Sequence, residues 1–326
     1  MPARSVKGKR GFYDGKCSDF EERTYLSADK KTQIHGYIWR PEGAPLRGII
    51  QLSHGMCEYV KRYDAWARRF CEIGFVVCGN DHLGHGQNAE SAEELGFIPQ
   101  GIGADCLVED LHTMSQLIKA EYPELPLVLY GHSMGSFVLR AYLSRYGGEL
   151  SAALISGTAG AGQPTGVARQ LARTIAAVKG DHHRSKMLTA LAFGAYNKRF
   201  GDEQDSRSWL TRDKAVRDAY KNDTLCRFKF TAAGYEALFT LLSTVSSKKW
   251  PLTVPKSLPI LLFAGDMDPV GDYGKGVRQI YDRLVAAGCE RVAIKLYAGG
   301  RHEMHNELNR DEVFADLAAF LEDALK

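Results

Sequence analysis

Two kinds of hydrophobic pattern follow one another along the chain. Residues 21–27 (EERTYLS) and 32–41 (TQIHGYIWRP) alternate between apolar and polar side chains, as antiparallel strands with one solvent-facing side do. Beyond them lie short, almost continuously apolar runs that end at glycine: RGIIQLSHG, GFVVCGND, LPLVLYGHS, SAALISG and LPILLFAGD. Such runs are typical of strands that are buried on both faces of a parallel sheet.

Helical stretches lie between the apolar runs, for example at 60–72 and 104–122. Strands that alternate with helices predict an α/β fold with a mostly parallel central sheet flanked by helices. Between about residues 160 and 250 the alternation stops and amphipathic helical segments follow one another. We therefore predict an α/β core formed by residues 1–159 and 251–326, into which residues 160–250 are inserted as a helical cap.

Composition and charge narrow the class of protein. The chain has 326 residues, of which 44% are hydrophobic and 25% charged, and its net charge of +3 is scattered rather than gathered into a stripe. We expect no nucleic-acid partner. Seven cysteines without a C-x-x-C pair indicate reduced, buried thiols. The first 16 residues are basic and lack the apolar centre of a secretory signal, so we expect a cytoplasmic location.

A candidate nucleophile lies in the sequence GHSMG, residues 131–135, which matches G-x-S-x-G. In a nucleophile elbow, a strand turns sharply into a helix and holds the serine in a strained conformation, and the flanking glycines avoid clashes at the turn. The apolar run LPLVLY precedes the motif and the helical stretch SFVLRAYLSRY follows it. This context predicts that Ser133 is the nucleophile.

A serine hydroxyl needs a base that a third group orients, and in this arrangement the chain order is serine, acid, histidine. Asp266 and Asp268 follow a buried strand; we favour Asp268, which lies deeper in the loop, and keep Asp266 as the alternative. GRHEMHNE follows the next strand and provides His302 as the base. His302 and His305 are three residues apart, not four as in the zinc motif H-E-x-x-H.

The rest of this segment has less specific expectations. We expect a solvated or hydrogen-bonding role for His305 and a helix that begins within residues 303–307. The oxyanion of the reaction needs two N–H donors, which we assign to Met134, directly after the nucleophile, and Met56 in the loop HGMCEY. His54 and Gly55 are expected to shape that loop, although a bare His-Gly dipeptide is equally compatible with no special role.

The motifs SHGMCEY, GNDHLGHGQN, GHSMGS, GDMDPVG and GRHEMHNE resemble those of the monoacylglycerol lipase and lysophospholipase branch of the α/β-hydrolase superfamily, which also contains serine aminopeptidase-like proteins. They occur in the family's order and span almost the whole core. The resemblance implies Ser133 as nucleophile, Asp268 as acid and His302 as base. It also implies Met56 and Met134 as oxyanion donors.

The cap is expected to select the acyl group. MLTALAFGAY (187–196) and YEALFTLLSTV (235–245) carry apolar side chains at helical spacing, which suits an acyl pocket and equally suits packing on the core. The candidate substrate-binding residues are Gly55, Leu188, Leu191, Phe193, Tyr196, Leu238 and Leu241. The basic turn KGDHHRSK (179–186) is either a transient contact with an anionic head group or membrane surface, or a solvated loop.

The sequence thus predicts a serine ester hydrolase that forms an acyl-enzyme, with small acyl esters such as monoacylglycerols or lysophospholipids as substrates and with no metal or cofactor. One alternative is an aminopeptidase or amide hydrolase on the same triad, which needs a cap acid to bind an α-amine. The candidate acids are Glu203, Asp205, Asp213 and Asp218. The other alternative is a non-catalytic binding protein. The sequence leaves the oligomeric state open.

Overall fold

The computed structural model describes residues 16–43, 45–201 and 205–326; the basic segment 1–15 and Glu203 lie outside them. The strands are β1 (Lys16–Cys17), β2 (Glu21–Leu26), β3 (Gln33–Trp39), β4 (Pro41–Glu42), β5 (Gly48–Ser53), β6 (Phe75–Asn80), β7 (Leu127–His132), β8 (Ala152–Ser156), β9 (Ile260–Gly265) and β10 (Val292–Tyr297). The helices are α1 (Asp64–Glu72), α2 (Gly103–Glu121), α3 (Met134–Tyr146), α4 (Thr165–Lys179), α5 (Lys186–Phe193), α6 (Lys214–Asn222), α7 (Ala232–Ser246), α8 (Trp250–Thr253), α9 (Lys275–Ala286) and α10 (Arg310–Ala324).

Eight of the described strands form one sheet in the order β10-β9-β8-β7-β5-β6-β3-β2. The strands from β10 to β6 in this order are parallel, whereas β3 and β2 add an antiparallel edge. Every residue of β5 through β9 is buried, as the continuously apolar runs predict. The predicted α/β fold with a mostly parallel sheet is therefore confirmed.

Successive side chains of the central strands enter apolar clusters on opposite faces of the sheet. Ile49 of β5 packs in the cluster that contains α2, α3, α7 and α9 side chains, whereas Ile50 packs in the cluster that contains α1 and α10 side chains. This follows from the two-residue repeat of a strand. Since β5 to β10 are parallel, the loops that leave their carboxyl ends meet at one edge of the sheet.

The segment predicted as a cap forms helices α4 to α7. Helix α4 packs along α7, and an ion pair of 2.9 Å between Arg173 and the buried Glu236 joins the two helices. Helix α7 also packs on α2 and α3, so that 11 of its residues are buried. The cap helices therefore share the apolar core with one face of the sheet. In the described ranges, no helix has the length and apolar character needed to cross a lipid bilayer.

All seven cysteines are free thiols, as predicted from the sequence. Six are buried and Cys17 is half-buried. Burial raises the pKa of the Cys106 thiol to about 11, because the thiolate would lose its hydration. The buried cysteines therefore stay protonated and pack as small apolar groups.

Candidate active site

Ser133 occupies a strained turn between β7 and α3. Its backbone angles are φ 53° and ψ −121°, a left-handed region that residues with a side chain rarely adopt. The Ser133 N–H donates to the Ser156 carbonyl at the end of β8 at 3.0 Å. A Cβ atom at Gly135 would overlap the Ser53 carbonyl of β5, so only glycine fits there. The backbones of three neighbouring strands thus hold the serine in its turn.

The acid and the base meet in the loops after β9 and β10. The Nδ1 atom of His302 lies 2.9 Å from Oδ2 of Asp268, and both side chains are buried. The other Asp268 oxygen accepts the Val270 N–H at 2.9 Å, which fixes the carboxylate. Asp266 instead accepts the Gly299 N–H at 2.7 Å. The structure therefore places Asp268, and not Asp266, against the histidine.

The surroundings of His302 favour a proton on its ring. Burial by itself would lower the pKa of His302, but the Asp268 carboxylate attracts the imidazolium and raises the pKa above its ordinary value of 6.5. With Nδ1–H directed at Asp268, Nε2 is the ring atom that accepts a proton. The ring centroid lies 4.7 Å from that of His132 and 5.1 Å from that of Trp209. Neighbouring rings therefore restrict the orientation of the imidazole.

The loop after β5 approaches the nucleophile closely. A Cβ atom at Gly55 would lie 3.1 Å from Cβ of Ser133. His54 lies behind this loop: its Nδ1 is 2.7 Å from the Gly55 carbonyl, and its Nε2 accepts the His82 N–H at 2.9 Å. Met56 lines the space in front of Ser133. This geometry fits the loop-shaping role expected of His54 and Gly55.

Met134 is the first residue of α3. The first N–H groups of a helix have no acceptor within the helix. The Met134 N–H is therefore available beside Ser133, and the positive end of the helix dipole favours an anion there. Met134 and Met56 both line the apolar cavity together with Ser133.

A buried ionic network lies behind the site, and the sequence analysis did not find it. The Glu58 carboxylate accepts the Gly55 N–H, the Tyr63 hydroxyl at 2.8 Å and the Arg62 guanidinium. Arg62 also binds Glu303, the residue after His302, at 3.2 Å. These three charged groups thus connect the loop after β5, which contains Gly55, to the loop after β10, which contains His302. The only sequence signal was a set of charged residues next to the two motifs.

Two carboxylates share one guanidinium in this network. Burial raises the pKa of Glu58 above its ordinary value, and the nearby Glu303 acts in the same direction, whereas Arg62 opposes it. Burial also opposes ionisation of Glu303, but Arg62 and His305 lower its pKa. Arg62 is therefore the group that makes a second buried carboxylate tolerable.

His305 and the start of the last helix differ from the sequence expectations. His305 is buried and stacks on Tyr63 with ring centroids 4.4 Å apart, and neither ring nitrogen has a hydrogen-bond partner among the described residues. Its ring is thus buried and stacked, and it forms no hydrogen bond to another described residue. Residues Met304–Asn306 form a short 3-10 helix, and α10 begins at Arg310. Glu303 and Glu307 are buried, because each carboxylate is bound by an arginine from elsewhere in the chain.

Two cavities meet at Ser133 and share Met56, Phe193 and Trp209. We call the first the apolar cavity; it has a volume of about 320 Å³ and is lined by side chains such as Phe137, Ala168, Phe239 and Val270. The second, the polar cavity, has a volume of about 360 Å³ and includes His302 in its wall. Ser133 is therefore open to two spaces whose walls are both mainly apolar, and the one we call the polar cavity differs in that its wall also contains charged residues.

The candidate substrate-binding residues divide between these cavities and the core. Four of them line the apolar cavity: Leu191, Phe193, Tyr196 and Leu238. Gly55 lines the polar cavity. Leu188 and Leu241 are a correction: both are buried in the hydrophobic core and line neither cavity. Helical spacing identified apolar positions, but not which of them face a neighbouring helix.

Trp209, from the segment before α6, was missed because it has no periodic context.

The basic turn of residues 179–186 is attached to the protein. His182 stacks on Phe97 with ring centroids 4.1 Å apart and lies 3.0 Å from Glu94. Arg184 donates to the backbone carbonyl of Glu93 at 3.0 Å and to that of Lys229. These contacts fix His182 and Arg184 against the protein, and no residue of this turn lines the apolar or the polar cavity.

The described cap acids are also occupied. Asp205 binds Arg217 at 3.0 Å and Lys221 at 2.9 Å. Asp213 caps α6 by accepting the Ala215 N–H, and Asp218 is paired with a lysine on the same helix. None of these three acids lines the apolar or the polar cavity.

A strained serine after one parallel strand, an aspartate and a histidine after two others, and a loop that carries backbone donors define an α/β-hydrolase. The family model described as "Serine aminopeptidase, S33" matches residues 44–309. The chain belongs to this family.

Relatives and solved structures point to the same branch. The chain is 31% identical over 288 residues to a monoacylglycerol lipase of Mycolicibacterium smegmatis, covering 87% of this chain and 91% of that protein. It is 29% identical to the monoglyceride lipase of Homo sapiens, covering 83% and 80% of the two chains. A carboxyl esterase from Bacillus coagulans in complex with glycerol superposes with a TM-score of 0.88 at 29% identity, covering 95% and 100%. The resemblance predicted from the motifs is confirmed, and the predicted enzyme class agrees with these relatives.

Proposed function

We propose that this chain is a serine ester hydrolase in which Ser133, His302 and Asp268 act as a triad. The observation that carries the proposal is the convergence of a strained serine and a buried His302–Asp268 hydrogen bond of 2.9 Å on one polar cavity that adjoins an apolar one. Perturbed titratable groups that converge beside an apolar pocket are typical of catalytic sites.

The proposed reaction proceeds in two half-reactions. The Ser133 hydroxyl attacks the ester carbonyl carbon and passes its proton to Nε2 of His302, while Asp268 holds the imidazole in the required tautomer. The N–H groups of Met56 and Met134 stabilise the oxyanion. The intermediate expels the alcohol, which takes the proton from His302. Water then attacks the acyl-enzyme by the same route and releases the acid.

The two cavities suggest where each part of the substrate binds. The acyl chain fits the apolar cavity, whose lining comes from cap helices α4, α5 and α7 and from α3. The alcohol fits the polar cavity beside His302. A monoacylglycerol or a related single-chain ester has this division, and two relatives carry the names of such lipases. A cytoplasmic location and brief contact of the cap with a membrane surface remain part of this proposal.

Three of the cap acids that the aminopeptidase alternative would use for a free α-amine, Asp205, Asp213 and Asp218, are engaged elsewhere. The test compares turnover of p-nitrophenyl esters with that of aminoacyl anilides. Faster ester cleavage supports the proposal, and faster anilide cleavage overturns it. A fluorophosphonate probe is expected to label wild type and to leave Ser133→Ala unlabelled. A wild-type protein that takes up no label would instead be a binding protein.

A further inference from the structure

The wall of the polar cavity contains two cations that form no ion pair with a described residue. Arg207 is half-buried and Lys229 is exposed, and both line this cavity together with Ser133. Among the residues that the structure describes, neither the Arg207 guanidinium nor the Lys229 ammonium forms an ion pair or hydrogen bond with another side chain. The Arg207 guanidinium lies 5.3 Å from the centroid of the Tyr220 ring. Two positive charges therefore remain available to a molecule in the cavity.

Among the described residues, most neutral polar side chains of the cavity are already hydrogen-bonded, and the exposed Ser206 is an exception. The Tyr220 hydroxyl donates to a backbone carbonyl at 2.9 Å, and the Tyr235 hydroxyl donates to Thr189 at 3.1 Å. The Asn197 amide donates to one backbone group at 2.9 Å and accepts from another at 3.3 Å. The unused donors for a ligand thus come chiefly from Arg207 and Lys229.

The two carboxylates in the cavity wall form their ion pairs with Arg62 and not with Arg207 or Lys229. Glu58 and Glu303 are 2% and 3% exposed, so they offer a ligand little carboxylate surface. Both bind Arg62, which compensates part of their charge. Their remaining bonds are to the Gly55 N–H and Tyr63 hydroxyl for Glu58, and to a neighbouring asparagine for Glu303.

The backbones that carry the two cations are held by hydrogen bonds to other charged side chains. The Arg207 N–H donates to Asp205 at 3.0 Å, and Asp205 is itself held by Arg217 and a lysine. The carbonyl of Lys229 accepts from Arg184. Neighbouring charges thus anchor these positions and leave the side-chain charges of Arg207 and Lys229 for a ligand.

We propose that the polar cavity selects esters whose alcohol carries an anionic group, a phosphate or a carboxylate, with Arg207 and Lys229 as specificity-determining residues. This inference rests on the proposed function. The same ester C–O bond breaks, and the alcohol leaves with its anion after taking the proton from His302. Because the anion lies away from the reacting atoms, the cations bind it equally in the ground and transition states, and their effect falls on KM.

The test compares esters with one acyl chain: dodecanoyl glycerol, dodecanoyl glycerol 3-phosphate and the dodecanoyl ester of glycolate. Arg207→Gln and Lys229→Gln are each expected to lower the ratio of kcat/KM for the anionic ester to that for the neutral ester by about tenfold, the usual effect of a hydrogen bond to a charged group. The matched control is Lys198→Gln, an exposed cap lysine that lines neither cavity and is expected to keep the ratio. The phosphate and glycolate esters separate the two sources of negative charge.

Salt gives an independent readout. At an ionic strength where the Debye length is about 3 Å, the wild-type ratio is expected to fall, because exposed charges are then screened. An unchanged ratio in the double variant Arg207→Gln, Lys229→Gln overturns the inference.

A failure of the proposed function is detected separately. If wild type neither takes up fluorophosphonate nor cleaves any ester, calorimetric binding of glycerol 3-phosphate decides the question of the anion site. Binding that weakens about tenfold in Arg207→Gln supports the site. Equal binding by wild type and variant, or no binding at all, overturns it.

Discussion

Asp268 and His302 form a 2.9 Å hydrogen bond between Oδ2 and Nδ1, although they are 34 residues apart in the chain. The carboxylate fixes the tautomer of the ring and raises its pKa above 6.5. Both effects require that the two loops end at the same edge of the sheet. The activity of the site and its pH dependence therefore report on this contact.

Asp268→Asn is expected to reduce kcat by about 10³- to 10⁴-fold, because the amide can stabilise the wrong tautomer and no longer stabilises the imidazolium. Since only the neutral imidazole accepts a proton, kcat/KM of wild type is expected to rise with pH through a pKa above 6.5. In Asp268→Asn, this rise of kcat/KM, the acidic limb of the pH profile, is expected to move to lower pH. The pH profile of ester hydrolysis measures both effects.

The matched control is Asp266→Asn, since Asp266 accepts only a loop N–H and the side-chain amide oxygen can replace its carboxylate. Its acidic limb is expected to coincide with that of wild type. A limb that moves in Asp266→Asn and not in Asp268→Asn would reverse the assignment.

Arg62→Met is expected to lower the free energy of unfolding by about 3–5 kcal/mol, because it leaves Glu58 and Glu303 buried without their counterion. The matched control is Arg68→Met. Arg68 forms a 2.8 Å ion pair with Asp64 on the surface, and its loss is expected to cost less than about 1 kcal/mol. Urea unfolding of the two variants measures the difference. Equal losses would mean that the buried network contributes no more than a surface pair.

Buried histidines are expected to make the protein sensitive to acid. Burial lowers the pKa of His305 to about 3 from an ordinary value of 6.5. The unfolded chain therefore binds a proton below pH 6.5 that the folded chain does not, so the contribution of this group to stability is lost as the pH falls from 6.5 towards 3. At pH 5 this amounts to about 2 kcal/mol for His305.

The test uses His305→Phe, which keeps the stacking on Tyr63 and removes the titration. The change in unfolding free energy between pH 7 and pH 5 is expected to be about 2 kcal/mol more favourable in the variant than in wild type. The comparison with wild type is necessary because burial raises the pKa of Asp81 and of Asp110 to about 6, which acts in the opposite direction. His302, whose pKa is raised, makes a contribution that is fully present below pH 6.5 and is lost at higher pH. If the unfolding free energies of wild type and His305→Phe changed equally between pH 7 and pH 5, His305 would not be a buried neutral histidine.

Gly135→Ala is expected to destabilise the protein by more than about 3 kcal/mol and to abolish activity, because the new Cβ overlaps the Ser53 carbonyl and must displace the elbow. Gly148→Ala is the control, since a Cβ there meets no atom within 4 Å. Its stability is expected to change by less than about 0.5 kcal/mol. Thermal unfolding and fluorophosphonate labelling follow both variants. An active Gly135→Ala protein would show that the elbow can move.

Ala168→Leu is expected to shift the preferred acyl chain to a shorter length, because Ala168 of α4 lines the apolar cavity and the larger side chain takes part of its volume. Val167→Leu, at an exposed position of the same helix, is expected to keep the wild-type preference. The measurement is kcat/KM for p-nitrophenyl esters of increasing chain length. If both variants showed the same dependence of kcat/KM on chain length, the acyl chain would not bind in this cavity.

Local pattern was sufficient for the sheet, the helices between its strands and the strand-to-helix turn at Ser133. Runs buried on both faces, a glycine on each side of a serine and amphipathic spacing are all properties of a few consecutive residues, and each has a direct physical cause in strand or helix geometry. The sequence also predicted that Asp268 and His302 lie close together. Each follows a strand of the parallel sheet, and parallel strands bring their carboxyl ends to one edge.

Tertiary structure alone decided which polar and apolar side chains meet. Arg62 and Glu303 are 241 residues apart, and their contact compensates the charge of the buried Glu303. The last helix begins at Arg310 and not within residues 303–307. Leu238 faces the apolar cavity whereas Leu241, one helical turn later, faces the core. Periodicity records that a side chain is apolar; only the packing of the whole chain determines what covers it.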